Sequence, residues 1–423
     1  AMSSRAALAF LLAPVISCTS GVSCFRWSGS ASPEVREAAP EPPEAQAPAP
    51  LEIEPSPEPV DLVEVGAEDL PEMTDDLDRA SLAEAIERNL AYLASRPGGE
   101  NVGLGGAACS VAELRGALED FREVLLAGGD AGTYASARFR VFRSTGRTGG
   151  PLVTGYYEPF LEARRRREEP FVHPIFRRPD DLLEIRLADF TAGASRSTIV
   201  GRVSGGKLEP YPSRREIDGE GALDGRGLEL AWLADPVARF FLHVQGSGIL
   251  RLDDGSELRI GYAASNGRGY TSIGRVLLEE GALGRGESTA PGIQRYLREH
   301  PERIDDVLFA NERYIFFREV AEGPVGSLGV RLTPGRSIAA DPTLVPPGAL
   351  GYLVTRTPEI DERGEVSGFR PARRFVVSQD TGAAITGPGR VDLFFGTGDR
   401  AGLEAGNMAE TADLYFLLPG VRS

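Results

Sequence analysis

The chain has 423 residues, 41% of them hydrophobic and 26% charged, which allows a folded body of two or three domains. A net charge of −16 argues against nucleic acid as a partner, because a binder needs a basic face toward the phosphates. The only three histidines, His173, His243 and His300, are far apart and no Cys/His cluster has metal spacing, so no metal and no cofactor are expected.

Arg5 precedes an apolar run over residues 6–16 that is too short to span a bilayer as a stable helix. Val15-Ile16-Ser17-Cys18 then has the form of a bacterial lipobox. Residues 1–18 therefore read as a lipoprotein-type signal peptide, with Cys18 as the lipid attachment site and membrane anchoring through that lipid. Cys24 is a weaker second candidate, and an ordinary secretory signal with incidental cysteines is the alternative. Residues 19–74 read as a disordered tether rich in Pro, Glu and Ala, densest from 31 to 62.

Ser81 with Glu84, and Ser110 with Glu113, carry capping-box signatures ahead of helical spacing over 82–93 and 114–126. The second helix is expected to stop at Gly128-Gly129. From Phe139 onward the pattern changes to short apolar runs between turn residues. Strands are expected over 152–157, 240–244, 248–252, 258–262, 350–356, 375–377 and 393–395. Asp253-Asp254-Gly255 signals a hairpin, and 272–280 and 292–299 read as helices. With 51 glycines spread through the body, the pattern is mainly β with a few packing helices, closer to a barrel than to a doubly wound sheet.

Two carboxylates stand out, Asp380 in Gln379-Asp380-Thr381-Gly382 and Asp392 in Arg390-Val391-Asp392-Leu393-Phe394. Both lie at strand–turn borders among apolar residues. Desolvation there raises a carboxyl pKa from about 4 toward 6, which suits proton donation at neutral pH. The local pattern leaves a plain turn-capping role open. Thr154-Gly155-Tyr156-Tyr157-Glu158-Pro159 and Gln245-Gly246-Ser247-Gly248 supply aromatic faces and neutral hydrogen-bonding groups, which sugar rings need. A core tyrosine pair and a plain turn are the alternatives.

Six ordered segments carry a resemblance. They are 154–159, 211–218 (YPSRREID), 241–248, 261–274 (GYAASNGRGYTSIG), Ser337-Ile338-Ala339-Ala340-Asp341 with Pro346-Pro347-Gly348, and 380–398 (DTGAAITGPGRVDLFFGTG). In this order, over roughly 150–415, the sequence resembles the membrane-bound lytic murein transglycosylase A family. The resemblance implies a double-psi β-barrel domain (75–156 plus 312–423) with an inserted second β-domain (157–311) and a groove between them. It implies that Asp392 is the catalytic residue, that Asp380 supports it, and that Thr154, Tyr157, Arg214, Gln245, Ser247 and Asn266 contact substrate.

The implied partners are peptidoglycan glycan strands and, through the lipid, a membrane, with the protein a monomer on the periplasmic side of the cell envelope, as an outer-membrane lipoprotein. The implied reaction cleaves the bond between N-acetylmuramic acid and N-acetylglucosamine and leaves a 1,6-anhydro ring. Ala383 stands where the family has a second glycine, Thr386 replaces a commonly basic residue, and Ser265 takes a position that can hold lysine. These departures keep open an alternative, a non-catalytic, expansin-like peptidoglycan-binding lipoprotein.

Overall fold

The structure is a computed structural model that describes residues 62–146, 150–190, 198–284 and 286–420. The signal segment, Cys18, Cys24 and the chain through residue 61 lie outside the described residues.

The end of the expected tether is folded. Leu62–Glu64 pairs antiparallel with Phe139–Ser144, Met73 is buried, and the Tyr352 hydroxyl donates to the carbonyls of Glu72 (3.1 Å) and Thr74 (2.8 Å). The proline-rich composition ends at Pro59, and apolar residues such as Leu62, Leu70 and Met73 give the following segment something to bury.

The expected helices follow as Arg79–Ala94 and Val111–Leu126. Ser110 caps the second in a complete capping box with Glu113. The first starts earlier than the Ser81 signature suggests, because the Asp78 carboxylate accepts from the Ser81 amide at 2.8 Å and takes the cap. Leu82, Ile86 and Leu93 of one helix, and Leu114, Leu118, Phe121 and Leu125 of the other, lie fully inside one large core. Their stripes cover a nine-stranded sheet.

That sheet runs in the order Leu62–Glu64, Phe139–Ser144, Asp413–Pro419, Leu350–Ile360, Val366–Asp380, Ser337–Ala339, Arg390–Thr397, Leu152–Glu158 and Ala409–Thr411. Parallel and antiparallel neighbours are mixed. The sheet curls until its last strand meets Leu350–Ile360 again. There the Thr355 hydroxyl donates to the Thr411 carbonyl at 3.1 Å, and Arg356 pairs with Glu410. This curled sheet is the barrel of a mainly β, two-domain fold.

A second sheet holds six strands, in the order Ile315–Glu319, Glu257–Ser265, Ser247–Arg251, Phe160–Arg164, Glu229–Leu233 and His173–Phe176. Its strands come from within the chain of the first sheet, so this body is an insertion. Ile315–Glu319, which the expected boundary at 312 gives to the barrel, pairs with Glu257–Ser265 and belongs to the second sheet. The expected hairpin joins Ser247–Arg251 to Glu257–Ser265, with Gly255 at φ +81° in its turn.

The run 240–244 is not a strand. It lies in helix Pro236–Gln245, which the Asp235 side chain caps, which has Pro236 in its first turn, and which ends at Gly246 with φ +78°. Its apolar face packs with those of Ile273–Glu279, Ala290–Glu299 and Ile304–Phe309 in a separate cluster.

The chain crosses between the sheets at Glu158-Pro159-Phe160 and returns between Glu319 and Ser337. Glu158 is fully buried at this crossing. It is ion-paired to Arg259 of the second sheet and accepts from the Thr397 hydroxyl of the first at 2.9 Å.

Candidate active site

Strand register gathers the candidate carboxylates. Ala339 is the Cα partner of Asp380 on one side and of Asp392 on the other; Asp392 pairs with Thr154, and Thr154 with Ala409. Residues level with one another in a sheet project to the same face. Asp380, Asp392 and Thr154 therefore stand in one row, the two aspartate backbones two strand spacings apart, roughly 10 Å. A bulge aligns them: the register between Ser337–Ala339 and Val366–Asp380 skips Gln379. That residue is pinned, its amide donating to the Ala85 carbonyl at 2.9 Å while its side-chain oxygen accepts from Ser337 at 2.6 Å.

The row faces a cleft of about 1070 Å³ between the two sheets. Asp392 is mostly enclosed there, with its side chain 23% exposed. Burial raises its carboxyl above its ordinary value, against the opposing effects of the Thr154 hydrogen bond and the Arg390 charge. The Thr154 hydroxyl donates to Asp392 Oδ1 and accepts from the Arg390 guanidinium at 3.1 Å. Arg390 itself lies 3.8 Å from the carboxylate. It stands two residues before Asp392 on the same strand, hence on the same face.

Asp380 is raised too, chiefly by burial, while the amides of Ser327 (2.9 Å) and Thr381 (2.8 Å) oppose the shift by donating to Oδ1. The first of these bonds ties the loop 325–327 to the cleft wall. Gly326 fits there because a Cβ would fall 2.5 Å from the Gln379 carbonyl. Tyr156, half-buried beside both aspartates with its hydroxyl shielded from solvent, has its phenol pushed well above the ordinary value by burial and then by Asp380. Its hydroxyl lies near Asp380 but outside hydrogen-bonding geometry.

The opposite wall comes from the inserted body. Gln245 ends its helix, and its side-chain oxygen accepts from the Tyr157 amide at 2.9 Å, so the wall is tied to the barrel strand carrying Thr154. Ser247 follows the left-handed Gly246 and opens into the cleft. The Tyr157 ring rests on Gly402 of helix Asp399–Gly406, where a Cβ would lie 2.7 Å from the ring. Tyr262, Tyr270, Arg313 and Arg318 complete much of this face.

The structure thus brings Asp392, Asp380, Thr154, Tyr157, Gln245 and Ser247 to one cleft. Arg214 borders the cleft, but its guanidinium is committed. It donates to the carbonyls of Asn311 (3.1 Å) and Arg313 (2.7 Å), meets His243 Nδ1 at 3.2 Å and pairs with Asp218 at 3.4 Å. Asn266 does not line the cleft. It is 1% exposed, its amide donating to the carbonyls of Pro212 and Glu312 and its oxygen accepting from the amides of Tyr314 and Arg268. An asparagine with these bonds braces the loops it joins. Sequence reasoning gave no role to Arg390, although its position two residues from Asp392 in a strand was a usable signal.

A mostly enclosed carboxyl on the wall of a cleft of this size defines a site suited to acid/base work. Comparison with known proteins gives the family. Residues 152–318 match the family described as MltA specific insert domain, and 336–418 match the 3D domain. Membrane-bound lytic murein transglycosylase A of Vibrio cholerae is 31% identical over 307 residues, 71% of this chain and 75% of that protein. The crystal structure of membrane-bound lytic murein transglycosylase from Agrobacterium tumefaciens superposes with a TM-score of 0.71 at 34% identity, covering 85% of this chain and 98% of that one. The E. coli MltA structure with bound chitohexaose shares the fold at a TM-score of 0.64 and 24% identity, covering 85% and 95% of the two chains. The chain belongs to the membrane-bound lytic murein transglycosylase A family, and it is a glycan-cleaving lytic transglycosylase.

Proposed function

We propose that Asp392 alone serves as both acid and base in cleaving the glycan strands of peptidoglycan within this cleft. The observation that carries the reading is the enclosure of its carboxyl, which favours the protonated form needed at the start. Asp392 gives its proton to the oxygen bridging N-acetylmuramic acid and N-acetylglucosamine. The ionised carboxylate then takes the proton of the muramic acid C6 hydroxyl, whose oxygen closes on C1 as the 1,6-anhydro ring.

Ordinary glycosidases need two carboxyl groups because one must act as nucleophile or activate water. Here the nucleophile is part of the substrate, and a well-oriented intramolecular group reaches an effective molarity of about 10⁵ M or more. Thr154 orients the carboxyl and Arg390 holds Thr154. Asp380 positions the lip of the cleft through Ser327 and Thr381. Tyr157, Gln245 and Ser247 hold the sugar chain.

Cys18 carries the lipid that anchors a monomeric protein to the outer membrane, on the periplasmic side of the envelope. Replacing Cys18 with Ala releases the protein from membranes; retention would assign the anchor elsewhere. Purified sacculi incubated with the wild-type protein yield anhydro-muropeptides by mass spectrometry. Reducing-end muramic acid would make it a hydrolase, and sacculus binding with no soluble product would make it the expansin-like binder.

A further inference from the structure

Two charged side chains lining the cleft have no part in the acid/base chemistry proposed above. Four arginines line the cleft: Arg214, Arg313, Arg318 and Arg390. Arg214 is paired with Asp218, and Arg390 lies beside Asp392. Arg313 and Arg318 have no carboxylate within ion-pair distance among the described residues, although most arginines of this acidic chain do. Arg313 donates to the Arg268 carbonyl at 3.2 Å, and Arg318 to the Tyr262 carbonyl at 3.3 Å. Each bond occupies one of five guanidinium donors.

Both side chains belong to the segment that enters and forms strand Ile315–Glu319 on the wall from the inserted body. Arg318 is exposed, and its register partner Gly261 carries no side chain. Four residues, 314–317, lie between the two arginines, a span of roughly 16 Å at most. Half-buried Arg313 is costly to leave without a counter-charge, and a planar guanidinium suits a carboxylate better than any neutral sugar group.

We infer that Arg313 and Arg318 form a carboxylate-reading wall, which binds the acidic substituents of the glycan strand rather than its sugar rings. This inference rests on the proposed reading of the cleft as the glycan site. The carboxylate has two sources: the lactyl group of a muramic acid without a stem, and the peptide stem of a substituted one.

Equilibrium binding tests it without turnover, in full-length protein carrying Asp392→Asn, alone and combined with Arg313→Gln, Arg318→Gln or both. The probes are chitohexaose, which has no carboxylate, stem-free glycan strands and stem-bearing strands. The expected result is that the arginines matter selectively: the double substitution weakens one acidic strand about tenfold, as loss of a charge-assisted contact implies, and chitohexaose less than twofold. Selective loss on stem-free strands assigns the lactyl carboxylate, and loss confined to stem-bearing strands assigns the peptide. Equal loss on all three probes, or loss on none, overturns the inference. Failure of all three to bind even with both arginines intact would instead sink the glycan reading of the cleft.

Discussion

The Thr154 hydroxyl donates a hydrogen bond to Asp392 Oδ1 from the neighbouring parallel strand, and the two residues are exact register partners. The bond favours the ionised carboxyl while burial favours the protonated one, and burial is the larger effect. Removing the bond in Thr154→Val therefore raises the Asp392 pKa further. Because the acid step needs the proton, activity is lost as pH rises through that pKa. The alkaline limb of the kcat/KM profile moves to higher pH in the variant. At the optimum kcat/KM falls about tenfold, since the carboxyl loses its orienting partner. An unmoved limb in the pH–rate profile would remove Thr154 from the proton machinery.

Gly402→Ala separates binding from stability. The new Cβ lies within 2.7 Å of the Tyr157 ring and displaces it. Alanine is the better helix former by about 0.5–1 kcal/mol, so the helix itself is not weakened. KM rises about fivefold while the unfolding midpoint stays level or climbs. Steady-state kinetics and thermal melting together check this; unchanged KM would mean that Tyr157 does not hold the sugar.

Glu158→Gln tests the crossing between the two bodies. The carboxylate is fully buried and joins Arg259 to Thr397, residues from different sheets. Breaking a buried pair from one side costs about 3–5 kcal/mol, and the 27% exposure of Arg259 brings the expected loss to about 2 kcal/mol. Urea unfolding reads it as a lower midpoint at unchanged slope.

Local patterns singled out Asp380, Asp392 and the segments 154–159 and 245–248, but left plain turn and core roles open. The expected roles of Asp392, Asp380, Tyr157, Gln245 and Ser247 came from the ordered family resemblance instead. What local pattern could not supply is register. The row from Asp380 through Ala339 to Asp392 depends on a bulge at Gln379 and on strands far apart in sequence. Phe240-Phe241-Leu242-His243-Val244 resembles a buried strand in isolation. Its helix is set by Asp235 and Pro236 at one end and Gly246 at the other, cues that lie outside the apolar run. Asn266 sits within a segment matching the family, yet its amide is consumed by backbone groups from two distant loops, which no spacing reveals.

Asn266→Ala follows from that placement. Two backbone amides and two carbonyls lose a buried partner, at a cost of about 2–3 kcal/mol. Chitohexaose affinity, measured well below the lowered melting temperature, stays within twofold. A large affinity loss with normal stability would restore Asn266 as a direct contact.

The central claim is that one proton moves to and from Asp392. Mass spectrometry of sacculus digests with folded Asp392→Asn protein measures it most directly. An amide cannot give or recover the proton, so anhydro-muropeptides fall by at least about a thousandfold while binding of the strand persists. Release of the same anhydro products at the wild-type rate would contradict the account.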